Sequence, residues 1–384
     1  MKVDKEKIIT WRRYFHQHPE LSGEEQQTAL FIAQLLRSWG LAVSEHVGGG
    51  YGVVGMLAGD PEYKCIALRA DMDALPVLED ATHTCRSLIE GKMHACGHDA
   101  HMAMVLGAAE ALAKDPPAGT VKFIFQPHEE RKPGGAGEMV AAGVLDNPHV
   151  DGIIATHVTN SFPFGSIGIS TGAVMAASDD FDLIVTGKSG HGAIPHETVD
   201  PVAIAAQIIT AYHEIVSRKI NPILPAVLSV CSVNTIQTHN VIPESIVLKG
   251  TVRCFDLQVR DQIRTEMQRV AAGICAAWGA SFELDYVEGY PPVINEREMT
   301  ALVQRAVKSI GAAQAVAVER PPMGGEDFAI FANQRPGAFF FTGTGSARCQ
   351  APWHDYAFAI EEDALPLGSQ VFEIAARTFA NQKK

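Results

Sequence analysis

The feature that most narrows the architecture is a change of rhythm near Asp180. From there, FDLIVTG (181–187) reads as strand, 200–218 as helix, AVLSVCSV (226–233) and SIVLKGTVRCF (245–255) as strands, 257–278 as helix and SFELDYV (281–287) as strand. That order, βαββαβ, is a self-contained split-βαβ unit. On both sides of it the pattern differs. Before it come a helix from Asp4 to His18, stopped by Pro19, and a second helix that runs to Trp39-Gly40. Ser22, with Glu25 three residues later, reads as the capping box of that second helix. Strands at 51–57 and 64–69, a helix at 99–114 and strands at 119–126 and 151–157 follow. Such alternation predicts an α/β layer with helices on the faces of a sheet. After the turn-rich stretch Glu288-Gly289-Tyr290-Pro291-Pro292 the alternation resumes. The chain therefore reads as a discontinuous domain, 1–180 and 290–384, interrupted by an α+β domain at 181–289.

A chain of 384 residues is long enough for two cores without covalent staples. Its net charge of −13 offers no basic field for phosphates, which argues against nucleic acid and anionic membranes as partners and leaves small molecules. Seven scattered cysteines fit a reducing compartment better than a disulfide framework. No run approaches the ~18 apolar residues of a membrane span, and the first residues alternate in charge with no apolar signal core behind them. A cytoplasmic location is the expectation.

Chemistry concentrates in MHACGHDAH (93–101), which puts His94, Cys96, His98, Asp99 and His101 within nine residues. Thiolate and imidazole suit a borderline ion such as zinc, and Cys96 and His98 on an extended segment would point to one side. Asp99 would cap the following helix, with His101 in its first turn. The plainer reading is a polar loop around a core cysteine, and the clustering favours ligation. In VKFIFQPHEE an apolar strand delivers Glu129 and Glu130 at its carboxyl end, where ligands bind in open α/β sheets. One carboxylate can ligate a metal while its neighbour faces water as a general base. The alternative is a solvated acidic loop.

DGIIATHV ends at His157, and APWHDYAFAIEEDAL carries His354. A lone histidine is more often a hydrogen-bonded structural residue, but Cys96, His98, Glu130, His157 and His354 together make five donors, enough for one or two catalytic ions. Asp71 and Asp73 could orient ligating histidines, or serve turns and caps, with Arg69 pairing one of them. In the inserted block, GKSGHGAIPH places His191 between glycines and His196 after a proline. A ligand approach and a tight exposed turn both fit that pattern. Arg253, late in an apolar strand, needs an anion, either a structural carboxylate or a substrate's. Asn240 in HNVIP is a further candidate.

Together the motifs resemble the M20 metallopeptidase family, in particular the amidohydrolase branch of aminoacylases, hippurate hydrolases and auxin-conjugate hydrolases. The ordered series FHQHPELSGEE, LRADMDALP, GKMHACGHDAHMA, FQPHEE, GKSGHGAIPH, NVIPES, GTVR, GGEDFA and HDYAFAIEEDAL runs nearly end to end. The resemblance implies a catalytic domain with a twisted mixed sheet flanked by helices. It also implies an inserted ferredoxin-like lid domain through which subunits often dimerise. Carried over by residue, Cys96, His98, Glu130, His157 and His354 would be ligands to one or two ions, zinc or manganese. Glu129 would be the general base, and His191 would stabilise the oxyanion in its own or a partner's active site. Asn240 and Arg253 would receive the substrate's carboxylate, and Asp73 would support the ligands.

Hydrolysis of an N-acyl amino acid or similar conjugate by a homodimer or higher homo-oligomer is what this implies, with three other readings open. They are a metallo-carboxypeptidase or dipeptidase, a metal-binding relative without turnover, and a redox protein based on Cys96, which lacks a CxxC partner. The chain departs from the branch at His128, at Arg131-Lys132-Pro133, at Thr156 and at Gln237-Thr238-His239. These positions bear on substrate preference and touch none of the expected ligands.

Overall fold

A computed structural model describes residues 3–236, 238–311 and 313–384. Gln237 lies outside the described residues. The chain separates into two compact units, one of Met1–Val174, Val293–Arg320 and Asp327–Lys384, the other of Met175–Pro292 and Pro321–Glu326.

The first unit is built on an eight-stranded mixed sheet. Its strand order is Ala42–Val47, Gly52–Leu57, Val121–Gln126, Ile66–Asp71, Gly152–Pro163, Gly337–Gly345, Ser166–Gly168, Gln314–Val316. The four central strands, from Val121–Gln126 to Gly337–Gly345, run parallel. Val121–Gln126 and Ile66–Asp71 are buried at every position, as strands covered by helices on both faces must be. All four strands point their carboxyl ends the same way, so the residues just beyond those ends gather at one edge.

Helix His98–Lys114 is buried along most of its length and packs against helices Lys5–Gln17 and Leu365–Ala380. Gly107 permits that approach, since a Cβ there would stand 2.5 Å from Ser369 Oγ and 2.6 Å from Ile8 Cδ1.

The second unit is a four-stranded antiparallel sheet in the order Ala226–Asn234, Ser245–Cys254, Ala177–Thr186, Ser281–Tyr290. Helices Pro201–Lys219 and Leu257–Trp278 close its core around Phe181, Leu183, Ile208, Tyr212, Leu248 and Met267. Asp200 and Asp256 cap the two helices by accepting N–H groups of their first turns.

Several local expectations are corrected. The second helix is Gln26–Ser38, and Glu20 caps it by accepting the Gln27 and Thr28 N–H groups. The Ser22 hydroxyl instead donates to Asp73 at 2.6 Å, so no capping box forms. The third helix begins at His98 itself, after Gly97 in the left-handed region at φ 92°. Asp99 therefore lies inside the first turn rather than capping it. The strand expected at 181–187 begins at Ala177, because Asp179 is buried and satisfied by the Tyr286 hydroxyl at 2.7 Å and the Gly289 N–H at 2.9 Å. Strand Ala42–Val47, half exposed at the sheet edge, was hidden by its polar composition. Among the described residues no helix is long and apolar enough to cross a membrane.

Candidate metal centre

The central strands deliver the polar residues to one edge. Asp71 ends Ile66–Asp71, with Asp73 two residues beyond; Glu129 and Glu130 follow Val121–Gln126; His157 lies within Gly152–Pro163; and His354 follows Gly337–Gly345. Cys96 stands two residues before the buried helix, and His98 is its first residue.

Donor atoms lie within 4.8 Å of one another in each of several groups, among them Cys96, His98 and His157; Cys96, Glu130 and His354; His98, Glu129 and Glu130; and Asp71, His98 and His101. Cys96, His98 and Glu130 each belong to more than one group, so the five expected ligands form one continuous cluster. Cys96 Sγ is 3.3 Å from His157 Nε2, and Glu130 Oε1 is 3.2 Å from His354 Nε2 and 3.7 Å from His98 Nε2.

Buried carboxylates hold these groups in place. Asp73 accepts the Glu129 N–H through one oxygen and the Glu130 N–H through the other, both at 3.0 Å. Glu25 accepts the preceding His128 N–H at 2.7 Å, so two carboxylates satisfy three consecutive backbone donors. Arg69, fully buried, donates to Asp71 at 2.6 Å, to Asp327 at 2.8 Å and to Gln126 at 2.9 Å. Asp71 in turn is 2.7 Å from His101 Nδ1, while His101 Nε2 accepts the Val158 N–H at 2.9 Å. That second contact fixes the tautomer, with the His101 proton on Nδ1. His157 Nδ1 donates to the Val158 carbonyl at 2.7 Å, leaving its Nε2 lone pair directed at Cys96.

The electrostatics favour a cation. Burial, reinforced by Glu130, Glu129 and Asp71, pushes the Cys96 thiol well above its ordinary range. Burial opposes charge on His98, yet Asp71, Asp73 and Glu130 raise it to about 10. Burial holds His157 neutral, well below the usual histidine range. His98 Nδ1 and Glu130 Oε1 are buried and lack an aligned hydrogen bond, although charged neighbours stand at ion-pair distance. Soft and hard donors, a thiol surrounded by carboxylates and two unsatisfied buried polar atoms are what a divalent ion would resolve, so the residues fit such an ion.

His191, His196, Asn240 and Arg253 belong to the second unit. His191 pairs with Val241 across a two-stranded ribbon, and the Gly192 N–H donates to the Asn240 carbonyl at 2.9 Å, so the second unit brings His191 and Asn240 together. His196 is exposed in the short helix Pro195–Glu197. Arg253 donates to the Thr251 hydroxyl at 3.1 Å and has no carboxylate at ion-pair distance among the described residues.

His128 Nε2 is 3.1 Å from Glu138, which offsets the added imidazole. Thr156 is buried and donates to the Phe340 carbonyl at 3.0 Å. Asp99 does not face the cluster; it pairs with Arg12 at 2.9 Å and His16 at 2.7 Å, and both hold its carboxyl well below the usual range against the cost of burial. Sequence reasoning placed Glu25 in a helix capping box and missed its part here as the acceptor of the His128 N–H.

Residues 67–378 match the model of peptidase family M20/M25/M40. The chain is 40% identical to Thermostable carboxypeptidase 1 of Saccharolobus solfataricus over 98% of its length and 96% of the relative's. It is 45% identical to an N-acyl-L-amino acid amidohydrolase of Geobacillus stearothermophilus, over 76% of this chain and 78% of that one. The crystal structure of a Bacillus subtilis dinuclear metal binding peptidase from the M20 family superposes with a TM-score of 0.86 at 35% identity, covering 98% of this chain and 99% of that one. The chain belongs to peptidase family M20/M25/M40.

Proposed function

We propose that this protein hydrolyses the amide bond of N-acyl amino acids or similar small conjugates. The observation that carries the reading is the convergence of Cys96, His98, Glu130, His157 and His354 on one cluster with unsatisfied buried donors. Those five residues would hold one or two divalent ions, zinc or manganese, which when bound supply the Lewis acidity that makes water nucleophilic near neutral pH. Glu129, buried and fixed through its backbone by Asp73, takes the proton from the attacking water and returns it to the leaving nitrogen. His191 stabilises the oxyanion, in its own or a partner's active site. Arg253 and Asn240 receive the free carboxylate of the amino-acid part, a role supported by Arg253 having no carboxylate at ion-pair distance among the described residues. The second unit acts as the lid and carries the contacts of a homodimer.

The relative named a carboxypeptidase supports a second reading, cleavage of short peptides from the carboxyl end with the same base and ligands. One experiment separates the two. Metal per chain is measured, and the same sample is assayed with and without chelator on N-acetyl and N-benzoyl amino acids and on dipeptides. Chelator-sensitive release from the acyl amino acids with slow dipeptide turnover supports the amidohydrolase. The reverse ranking supports the peptidase, and full metal without turnover on any of them sinks both.

A further inference from the structure

Asn160 lies on the same strand as His157, three residues further along. Its amide nitrogen donates to the carbonyls of Ala351 and Ala359, both at 2.9 Å, and its oxygen accepts the Thr344 hydroxyl at 2.9 Å. The two carbonyls bracket residues 351–359, so one side chain ties both ends of that loop. In its middle stands His354, at φ 67° and with its side chain 55% exposed. No helix or strand fixes this histidine, and a non-glycine residue adopts such backbone only when its surroundings hold it there.

Elsewhere the loop is held by the Asp80 N–H, which donates to the Tyr356 carbonyl at 3.1 Å, by buried Phe358, and by two further hydrogen bonds. The His354 N–H donates to the Ala95 carbonyl at 2.8 Å, and the Trp353 indole N–H donates to the Val158 carbonyl at 2.8 Å. Ala95 precedes Cys96 and Val158 follows His157, so each of these anchors adjoins a candidate ligand. The Trp353 and His157 rings are 4.4 Å apart between centroids. Strand Gly152–Pro163 thus presents one ligand directly and grips the loop that presents another.

We infer that Asn160 is a positioning residue for His354, the clasp that holds its imidazole at Glu130 and completes the ligand set; this rests on the ligand assignment proposed above. Asparagine suits the task because one nitrogen supplies two donors while the oxygen accepts from Thr344. Aspartate has the same shape but would set an oxygen against two carbonyls, and leucine would leave three polar groups without partners.

Zinc affinity, read by competition with a chelator, tests this in wild type, Asn160→Asp, His354→Ala and the double variant, with a thermal melt to establish that each is folded. Asn160→Asp is expected to weaken zinc binding by about 10- to 100-fold. The double variant is expected to bind no more weakly than His354→Ala, because the clasp then has nothing to position. Wild-type affinity in Asn160→Asp, or losses that add in the double variant, would overturn the inference and leave the ligand assignment standing. Should Asn160→Asp not fold, Thr344→Val, which removes only the group orienting the amide, supports the same comparison at smaller amplitude. Unchanged affinity in His354→Ala would instead refute the ligand assignment, and the clasp with it.

Discussion

Asp73 receives the backbone N–H of Glu130 at 3.0 Å through the same oxygen that accepts the Ser22 hydroxyl, while its other oxygen takes the N–H of Glu129. One carboxylate therefore sets the backbone of both the proposed base and a proposed ligand. Asp73→Asn keeps the shape but turns one acceptor into a donor facing a donor. Metal affinity should fall about 10- to 100-fold, measured by chelator competition, with hydrolysis declining in parallel.

Glu129→Gln should separate binding from chemistry. The amide keeps the size of the side chain and loses its basicity, so metal content should match wild type while kcat falls by about 10²- to 10⁴-fold. Elemental analysis and steady-state kinetics on one preparation read both. Retained turnover removes Glu129 from the role of base.

Arg253→Ala should act on substrate rather than on the reaction. With no carboxylate at ion-pair distance among the described residues, the guanidinium suits an anionic ligand. A lost charged hydrogen bond of about 1.5–3 kcal/mol corresponds to roughly a 10- to 100-fold rise in KM for substrates bearing a free carboxylate. Amides without that group should be spared, and an equal loss on both kinds would mark a structural arginine.

Glu25 predicts a pH signature. Burial, aided by Asp73, raises its carboxyl to about 6 in the fold, above the usual carboxylate range. A raised acid binds its proton more tightly folded than unfolded, so its contribution is present at low pH and lost as pH climbs through about 6. Glu25→Gln keeps the acceptor for His128 N–H and does not ionise. In the metal-free protein the variant should gain stability relative to wild type by about 2 kcal/mol between pH 4 and pH 7. Urea melts at the two pH values check it, and a constant difference would contradict the burial argument.

The donor cluster was legible in the sequence because three of its five proposed ligands, Cys96, His98 and Glu130, arise in two short runs, MHACGHDAH and QPHEE, where spacing alone is informative. Their supports were not. Ser22 and Asp99 both read as helix caps under local rules, yet their partners, Asp73 and Arg12, are remote in sequence and meet them only through tertiary packing. The same reason hid the first residues of Ala177–Thr186, where a buried Asp179 depends on Tyr286 and Gly289. Amphipathic helices announce themselves by period. A buried polar network has none, and its members look like surface residues until the chain is folded.

Strand Gly337–Gly345 occupies a central place in the large sheet beside Gly152–Pro163, although the whole of the second unit separates them along the chain. During synthesis at about 5–20 residues per second, the earlier strand therefore waits, with an unpaired apolar edge, until its neighbour and the His354 loop emerge. If His354 is a ligand as proposed, metal capture would accordingly be a late event in the life of the nascent polypeptide. The interval before it, when that edge lies open, is the stage at which misassembly has its best opportunity and a chaperone its clearest target.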